Sequence, residues 1–350
     1  MQRLLVVGCF GDKTGRLDGQ IVKTNSVINM LKRRIGNEAY IDMFNTLSIR
    51  YNVLYIIKLF FKLIFCSKVV IIPAHRNLAI FFPFAYYFSF VARYKIVLIC
   101  VGGWQVDFFL GSDKWKEHKR AMNLSRKCYA FLPELKRVNE ELRTNCGFTN
   151  CEVFPNFRNF IFSKQFKINN SKKLKLVYLG RINKNKGYNT IFRSVDFLLN
   201  KGYDISITFY GSISSEDESD FKSLLSINSD FVTYGGIVLP DTITQVLCNY
   251  DVMLFPTQYY TEGFPGTVLD SFIAGIPIIA TEWMHSHEFI KDRVNGFIVP
   301  FDNPQNEFNK CIEILYNDRE MLFKMKEESH ASSIYFTEDS AWKILSKYLI

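Results

Sequence analysis

The amino-acid sequence predicts an α/β protein built from two doubly wound, Rossmann-like domains. Its 350 residues are too many for one ordinary hydrophobic core and suit two domains. In both halves, short apolar runs alternate with longer helical stretches, which predicts parallel sheets covered by helices. The apolar runs are continuous, as is typical of strands that are buried on both faces.

The first domain is expected over residues 1–160. Helices are predicted at Gly19–Ile35 and Val53–Phe65. The longest uncharged apolar run, Leu78–Ala92, has 15 residues and contains Pro83. Because a bilayer span needs about 18–20 residues, this run is interpreted as a buried helix, with contact between one of its faces and a membrane as the alternative. The predicted strands are Arg3–Gly8, Ala39–Phe44, Lys68–Ile72, Ile96–Val101, Lys127–Leu132 and Glu152–Phe154.

A segment rich in Asn, Ser and Lys, Pro155–Lys173, is the predicted linker and part of a hinge. The second domain is expected over residues 171–335, and the tail from about Asn303 to Ile350 is predicted to be helical throughout. The strands of the second domain are predicted at Leu174–Gly180, Ile205–Tyr210, Phe231–Tyr234, Val252–Phe255, Ile278–Ala280 and Phe297–Val299.

The charge is distributed unevenly between the two halves. The chain has a net charge of +9, with 26 Lys/Arg against 11 Asp/Glu in residues 1–170 and 17 against 23 in the rest. A basic first half attracts anionic lipid headgroups or phosphorylated substrates, unless it is simply a solvated surface. The eight cysteines form no C-x-x-C motif and the N-terminus shows no signal peptide, so a reducing cytoplasm is expected.

The first motif that indicates chemistry is the segment 179–187, Leu-Gly-Arg-Ile-Asn-Lys-Asn-Lys-Gly. It follows a predicted strand and precedes a helix. Gly180 allows a tight turn, and Arg181 and Lys186 place two cations at the start of the helix. The helix end adds partial positive charge and unpaired N–H groups. This arrangement is typical of a diphosphate site, although it matches no standard nucleotide-binding fingerprint.

The second motif covers residues 261–277, Thr-Glu-Gly-Phe-Pro-Gly-Thr-Val-Leu-Asp-Ser-Phe-Ile-Ala-Gly-Ile-Pro. Pro265 suits the first turn of a helix, and Gly263 and Gly266 allow the backbone to approach a ligand. Glu262 lies just before that helix and Asp270 about one turn inside it. Two carboxylates on either side of N–H groups suit a ligand that contains a sugar, a pyrophosphate and a ribose.

With these motifs, residues 174–300 resemble the donor domain of glycosyltransferase family 4, among the glycosyl transferases of group 1. The family motif is Glu, seven residues, Glu; here Glu262 is followed after seven residues by Asp270, a shorter carboxylate. Gly275-Ile276-Pro277 and the stretch from Glu288 through Asn295-Gly296 to Pro300 also match. The resemblance implies a retaining enzyme of the GT-B fold, with two domains facing a central cleft and a C-terminal helix, residues 336–350, that crosses back to the first.

The resemblance also implies roles for individual residues. Glu262, Arg181 and Lys186 are expected to be catalytic, with Glu262 at the transferred sugar, the two cations at the pyrophosphate and Asp270 at the ribose. The donor-binding set comprises Gly180, Arg181, Lys186, Glu262, Gly263, Phe264, Pro265, Gly266, Thr267 and Asp270. An acceptor side is expected at Gly15, Gly19, Gly103, Trp104 and Asp107. The segment Gly102-Gly103-Trp104 is equally well explained as a structural turn with an anchoring Trp.

No metal is expected, because the chain has no Asp-x-Asp triplet and His285 and His287 suggest no third ligand. The predicted donor is a UDP- or GDP-sugar, and the acceptor a glycan or a lipid-linked oligosaccharide of a bacterial capsule, O-antigen or exopolysaccharide. Contact with the inner face of the membrane is expected through the basic first domain, without a nucleic-acid partner. A nucleotide-sugar epimerase and a catalytically silent binding protein stay open as alternatives. A dinucleotide-dependent dehydrogenase is excluded, because Gly8-Cys9-Phe10-Gly11 is no G-x-G-x-x-G motif.

Overall fold

Two parallel sheets organise the chain in the computed structural model, which describes residues 2–11, 19–48, 54–111, 116–160 and 171–350. The chain divides into two compact units. The first unit comprises Met1–Asn159 together with Phe336–Ile350, and the second comprises Phe160–Tyr335. The C-terminal segment therefore belongs to the first unit.

The first sheet has, among the described residues, five parallel strands in the order β2-β1-β3-β4-β5. They are β1 Gln2–Gly8, β2 Ala39–Asn45, β3 Lys68–Ile71, β4 Lys95–Ile99 and β5 Ala130–Leu132. The prediction of a sixth strand over Glu152–Phe154 is wrong. Cys151 forms only an isolated bridge with Phe131. Pro155 lacks an N–H group to continue a ladder, so the chain leaves the sheet here.

Helices cover the first sheet. Those described before the linker are α1 Gly19–Ile35, α2 Tyr55–Ile64, α3 His75–Ala92, α4 Gln105–Leu110, α5 Lys116–Ser125 and α6 Lys136–Thr144. Helix α3 corresponds to the long apolar run, but the prediction that it is buried is only half right. Phe82 and Pro83 are buried, whereas Phe84, Tyr87 and Phe90 are exposed.

The C-terminal helix, α13 Glu338–Leu349, packs into the core of the first unit. Ala341, Leu345 and Leu349 lie in the same hydrophobic cluster as residues of α1 and the first sheet. Glu338 forms an ion pair with Arg33 of α1. The helix is thus part of the first unit through both apolar and charged contacts.

The second sheet has, in the described range, six parallel strands in the order β11-β10-β9-β6-β7-β8. The strands are β6 Leu174–Leu179, β7 Ile205–Tyr210, β8 Val232–Tyr234, β9 Val252–Phe255, β10 Ile278–Thr281 and β11 Gly296–Val299. All of them lie where the sequence predicts strands. The helices are α7 Tyr188–Asn200, α8 Glu218–Ile227, α9 Ile243–Leu247, α10 Gly266–Ala274, α11 Gln305–Asn317 and α12 Arg319–Ser332.

The strand order determines which loops of the second unit meet. Strands β6 and β9 are neighbours that pair through Leu176 with Val252 and Val177 with Met253. Because the strands are parallel, their carboxyl ends lie at the same edge of the sheet. The loop that follows β6 and the loop that follows β9 are therefore adjacent, although they are far apart in sequence.

Candidate functional site

The loop after β6 is a tight turn that leads directly into helix α7. A short 3₁₀ helix covers Lys184–Lys186, and the side chain of Asn183 accepts a hydrogen bond of 2.9 Å from the backbone N–H of Lys186. Gly187 follows with a φ of 79°, and a Cβ atom there would lie 1.9 Å from the carbonyl oxygen of Pro256. Only glycine fits this position, which holds the β6 loop directly against the β9 loop.

The β9 loop carries Glu262 to the end of the β6 loop. The Glu262 carboxylate forms an ion pair with the Lys186 ammonium group. It also accepts a hydrogen bond of 3.3 Å from Thr257 Oγ1, and Thr257 is itself almost fully buried. Lys186 Nζ lies 4.8 Å from the ring centroid of Tyr259, within cation–π range. A cation and a carboxylate from two separate motifs thus form one partly buried polar centre.

Helix α10 begins at Gly266, directly after this loop. Pro265 is the N-cap residue, directly before the first turn for which the sequence analysis finds it suited. The hydroxyl of Thr267 donates to the carbonyl oxygen of Leu179 at 3.1 Å, which ties the first turn of α10 to the end of β6. Amides in the first turn of a helix have no partner within that helix, so this end is suited to an anion.

Aromatic contacts fix the position of the loop before α10. The rings of Phe264 and Phe289 are stacked, with centroids 3.9 Å apart and planes at 5°. The indole N–H of Trp283 donates to the carbonyl oxygen of Gly263 at 3.2 Å. These contacts come from the segment after β10, so three neighbouring strand ends hold Gly263 and Phe264 in place.

The other predicted donor residues lie in the same two loops or in α10. Gly180 has a φ of 149° and directly follows β6, and Arg181 comes next with its side chain exposed. Asp270 lies about one turn inside α10 and is only 5% exposed. Asp270 therefore presents little surface to a ligand in this conformation.

Further hydrogen bonds that the motifs do not indicate hold the β6 and β9 loops in place. The buried hydroxyl of Tyr178 donates to the carbonyl oxygen of Arg181 at 2.7 Å. Burial and the negative charge of Glu262 raise the pKa of Tyr178 well above its usual range. The backbone N–H of Gln258 donates to the carbonyl oxygen of Asn185 at 2.8 Å. In the sequence, the only signal for these residues is that they lie close to the ends of two predicted strands.

In the first unit, the predicted acceptor residues that the structure describes lie at the start of α1, in the segment that leads into α4 and in α4 itself. Gly19 opens α1, whereas Gly15 lies outside the described residues. The indole N–H of Trp104 donates to the carbonyl oxygen of Val101 at 2.7 Å and closes the turn that contains Gly103. This bond supports the structural-turn interpretation of that segment. Asp107 lies exposed in α4.

The described ranges offer no group of side chains suited to a metal ion. No set of three or more His, Cys, Asp or Glu side chains in those ranges could hold one. His287 instead lies 3.2 Å from the carboxylate of Glu282 on the surface.

Comparison with known proteins finds a family match within the second unit. Residues 173–318 match the family model described as "Glycosyl transferases group 1". These residues are therefore similar to the group 1 glycosyltransferases. Both motifs, residues 179–187 and 261–277, lie inside the matched range, and so does the ion pair of Lys186 and Glu262.

Curated proteins match this chain at moderate sequence identity. The capsular polysaccharide biosynthesis glycosyltransferase CapM of Staphylococcus aureus is 26% identical over 241 residues, which are 67% of this chain and 57% of CapM. An uncharacterised 41.2 kDa protein of the cps region of Klebsiella pneumoniae is 28% identical over 160 residues, 45% of this chain and 40% of that protein. The chain spans about half the length of the curated relatives it matches.

Solved structures of similar fold match the whole chain, beyond residues 173–318. Anabaena Alr3699/HepE, solved with UDP, has a TM-score of 0.74 at 14% identity and covers 100% of this chain and 99% of its own. The sucrose-phosphate synthase of Thermosynechococcus elongatus has a TM-score of 0.73 at 12% identity, covering 100% of this chain and 98% of its own. The fold is therefore of the GT-B class, as the sequence predicts.

Proposed function

We propose that the protein is a retaining glycosyltransferase that moves a sugar from a nucleoside-diphosphate sugar to a glycan or lipid-linked acceptor. The observation that carries this proposal is the ion pair between Lys186 and Glu262 beside the start of helix α10. It joins a cation, a carboxylate and a helix N-terminus at the edge of one sheet. A cation and a helix N-terminus can bind a diphosphate, and a carboxylate can accept hydrogen bonds from the hydroxyl groups of a sugar.

Each group has a part in donor binding under this proposal. Lys186 and Arg181 offset the charge of the diphosphate, together with the first-turn amides of α10. Glu262 accepts hydrogen bonds from hydroxyl groups of the transferred sugar, and Asp270 from those of the ribose. The donor is of the UDP or GDP type. UDP is supported by HepE, whose structures include complexes with UDP and with UDP-glucose.

The proposed reaction exchanges one bond at the anomeric carbon for another on the same face. The oxygen of the acceptor hydroxyl attacks as the bond to the diphosphate breaks, and the acceptor proton passes to the departing phosphate oxygen. Catalysis then depends on positioning and on stabilising the charge of the leaving group. Lys186 and Arg181 supply that stabilisation, so the proposed enzyme needs no metal ion.

The acceptor and the pathway are inferred from charge and from the names of relatives. CapM is named for capsular polysaccharide biosynthesis, and the Klebsiella relative is encoded in a cps region. The basic first half suits an acceptor carried by a lipid pyrophosphate at an anionic membrane. We therefore place the reaction in the assembly of a bacterial surface polysaccharide at the inner face of the cytoplasmic membrane, which suits the eight free cysteines.

The first experiment is thermal stabilisation by UDP, GDP, ADP, CMP and NAD, without and then with a divalent metal. A ligand at a hundred times its dissociation constant raises the free energy of unfolding by about 2.7 kcal/mol, which is readily detected. Stabilisation by one nucleoside diphosphate supports the proposal and identifies the donor base. Stabilisation by NAD alone, or by none of the five, contradicts it.

The alternatives are separated by product analysis with the nucleotide sugar identified in this way. A transferase releases the nucleoside diphosphate faster when an acceptor hydroxyl is supplied. An epimerase changes the sugar without an acceptor, and a silent binding protein leaves the nucleotide sugar intact.

A further inference from the structure

We propose that helices α2 and α3 form a docking surface for an anionic lipid bilayer. Six apolar side chains on and beside these helices are between 51 and 68% exposed. They define what we name the aromatic surface: Ile57, Phe61, Phe65, Phe84, Tyr87 and Phe90. Soluble monomeric proteins seldom expose so many large apolar side chains together, and such surfaces commonly contact a partner or a membrane.

The aromatic surface is contiguous because the two helices touch. The rings of Phe60 and Phe88 meet edge to face, with centroids 5.1 Å apart. Along α2 the exposed residues recur every four positions, and along α3 every three, so each set lies along one side of its helix. The opposite sides are buried in the first unit, through Leu59 and Leu63 in α2 and Phe82 in α3.

Basic side chains border the aromatic surface. The Arg120 guanidinium lies 5.4 Å from the ring centroid of Tyr87, and that of Arg3 lies 5.8 Å from Phe65. Lys58 projects from α2 itself and is exposed. Across residues 51–100 the sequence contains six Lys/Arg and no Asp/Glu. Anionic headgroups are attracted to such a border while aromatic rings enter the interface beneath them.

The charge also argues for a bilayer over a second copy of the chain. A symmetric contact between two copies through this surface would bring their two positively charged borders together, which is electrostatically unfavourable. Tyr87, whose ring carries a polar hydroxyl, is of a residue type that is enriched at membrane interfaces. Within the described ranges, no helix is both long enough and apolar enough to cross a membrane. The proposed contact is therefore a peripheral one, with the helices lying at the interface.

This inference extends the lipid-linked acceptor proposed above, but its test needs no transfer activity. The purified chain is sedimented with phosphatidylcholine vesicles and with vesicles that also contain phosphatidylglycerol, at low and high salt. We expect binding to the anionic vesicles, weakened at high salt because salt screens the attraction. Absence of binding to either type of vesicle overturns the proposal.

Two variants test the surface itself. Replacing Phe61, Phe84 and Phe90 by Gln should lower the partition coefficient on anionic vesicles by at least about ten-fold. Lys58→Gln combined with Arg120→Gln should lower it by about 30-fold. The matched control replaces Ile227, Ile237 and Leu239, which are exposed apolar residues of the second unit, by Gln. Vesicle binding that survives in the triple Phe variant, or that is lost in the control as well, overturns the assignment.

Two further measurements keep the outcomes distinct. Each variant must melt cooperatively and keep the stabilisation by nucleotide seen in the wild type. If the wild type binds vesicles but no nucleotide, the proposed transferase function fails while the docking surface stands. Analytical ultracentrifugation decides about a second copy: a wild-type dimer that the triple Phe variant abolishes would show that the surface joins two chains and not a membrane.

Discussion

The ammonium group of Lys186 is paired with the carboxylate of Glu262, although 76 positions separate the two residues in sequence. The two side chains are 22 and 17% exposed, so the pair is neither fully buried nor freely solvated. A donor that uses Lys186 for its diphosphate and Glu262 for its sugar must rearrange this pair. The pair keeps both charges compensated before a ligand binds. Substituting one residue at a time measures what each contributes to ligand binding and turnover.

Lys186→Ala should weaken binding of the nucleoside diphosphate by about ten- to a hundred-fold, because a hydrogen bond to a charged group is removed. The measurement is the thermal stabilisation or calorimetric affinity for UDP or GDP. Lys184→Ala is the matched control: Lys184 lies in the same turn, is exposed and pairs with Asp220 at 3.6 Å. If the two variants lose the same affinity for the nucleoside diphosphate, binding depends on overall positive charge and not on Lys186 in particular.

Glu262→Gln should leave binding of the nucleoside diphosphate unchanged or tighter, because Lys186 loses its charged partner while UDP itself carries no transferred sugar. Turnover of the nucleotide sugar should fall by about a hundred-fold or more, as when one group that contacts the reacting sugar is removed. Glu282→Gln changes an exposed carboxylate of the same unit and should alter neither quantity. Near-normal turnover by Glu262→Gln would remove this residue from the proposed mechanism.

Gly187→Ala should destabilise the second unit by more than about 3 kcal/mol, because a Cβ atom clashes with Pro256 and the φ angle is positive. Gly202→Ala is the control for the backbone angle. Gly202 has a φ of 80°, but a Cβ atom added there would have no neighbour within 4 Å, so the expected cost is about 1 kcal/mol. The measurement is the melting temperature of each variant, which falls by about 2–4 °C for each kcal/mol of destabilisation. Equal shifts would contradict the close approach of the two loops.

Lys23 should make the stability of the first unit depend on pH. Its side chain is fully buried in α1, and burial lowers its pKa to about 7, opposed in part by the charge of Glu134. The unfolded chain, with a Lys pKa of 10.5, holds this proton more tightly than the folded chain does. The cost of burying the charge is complete below pH 7 and disappears as the pH rises to about 10.5.

The measurement is urea unfolding of the wild type and of Lys23→Met at about pH 6 and about pH 9.5. Relative to Lys23→Met, the wild type should gain free energy of unfolding between the two values, by up to about 3 kcal/mol. The Lys23 ammonium group donates to the backbone carbonyl of Pro155, so the titration acts beside the segment that leaves the first sheet. Parallel pH profiles for the two proteins would show that Lys23 keeps an ordinary pKa.

Local sequence determined much of the secondary structure and identified both motifs of the candidate site. The strands of the second unit follow from short continuous apolar runs such as Val252–Phe255, which are typical of strands buried on both faces. Gly187 and Pro265 mark the start of helices α7 and α10 through their backbone preferences. By contrast, Glu152–Phe154 has the composition of a strand but lies beside a proline where the ladder stops.

Tertiary structure alone decided which of these pieces meet. Lys186 reaches Glu262 because β6 pairs with β9, and that pairing depends on contacts between distant segments that local periodicity does not encode. The indole bond of Trp104 and the burial of Asp270 likewise depend on neighbours that are not adjacent in sequence. The apolar run of α3 shows the same limit, since composition predicts a helix but only packing decides which side of it is left uncovered.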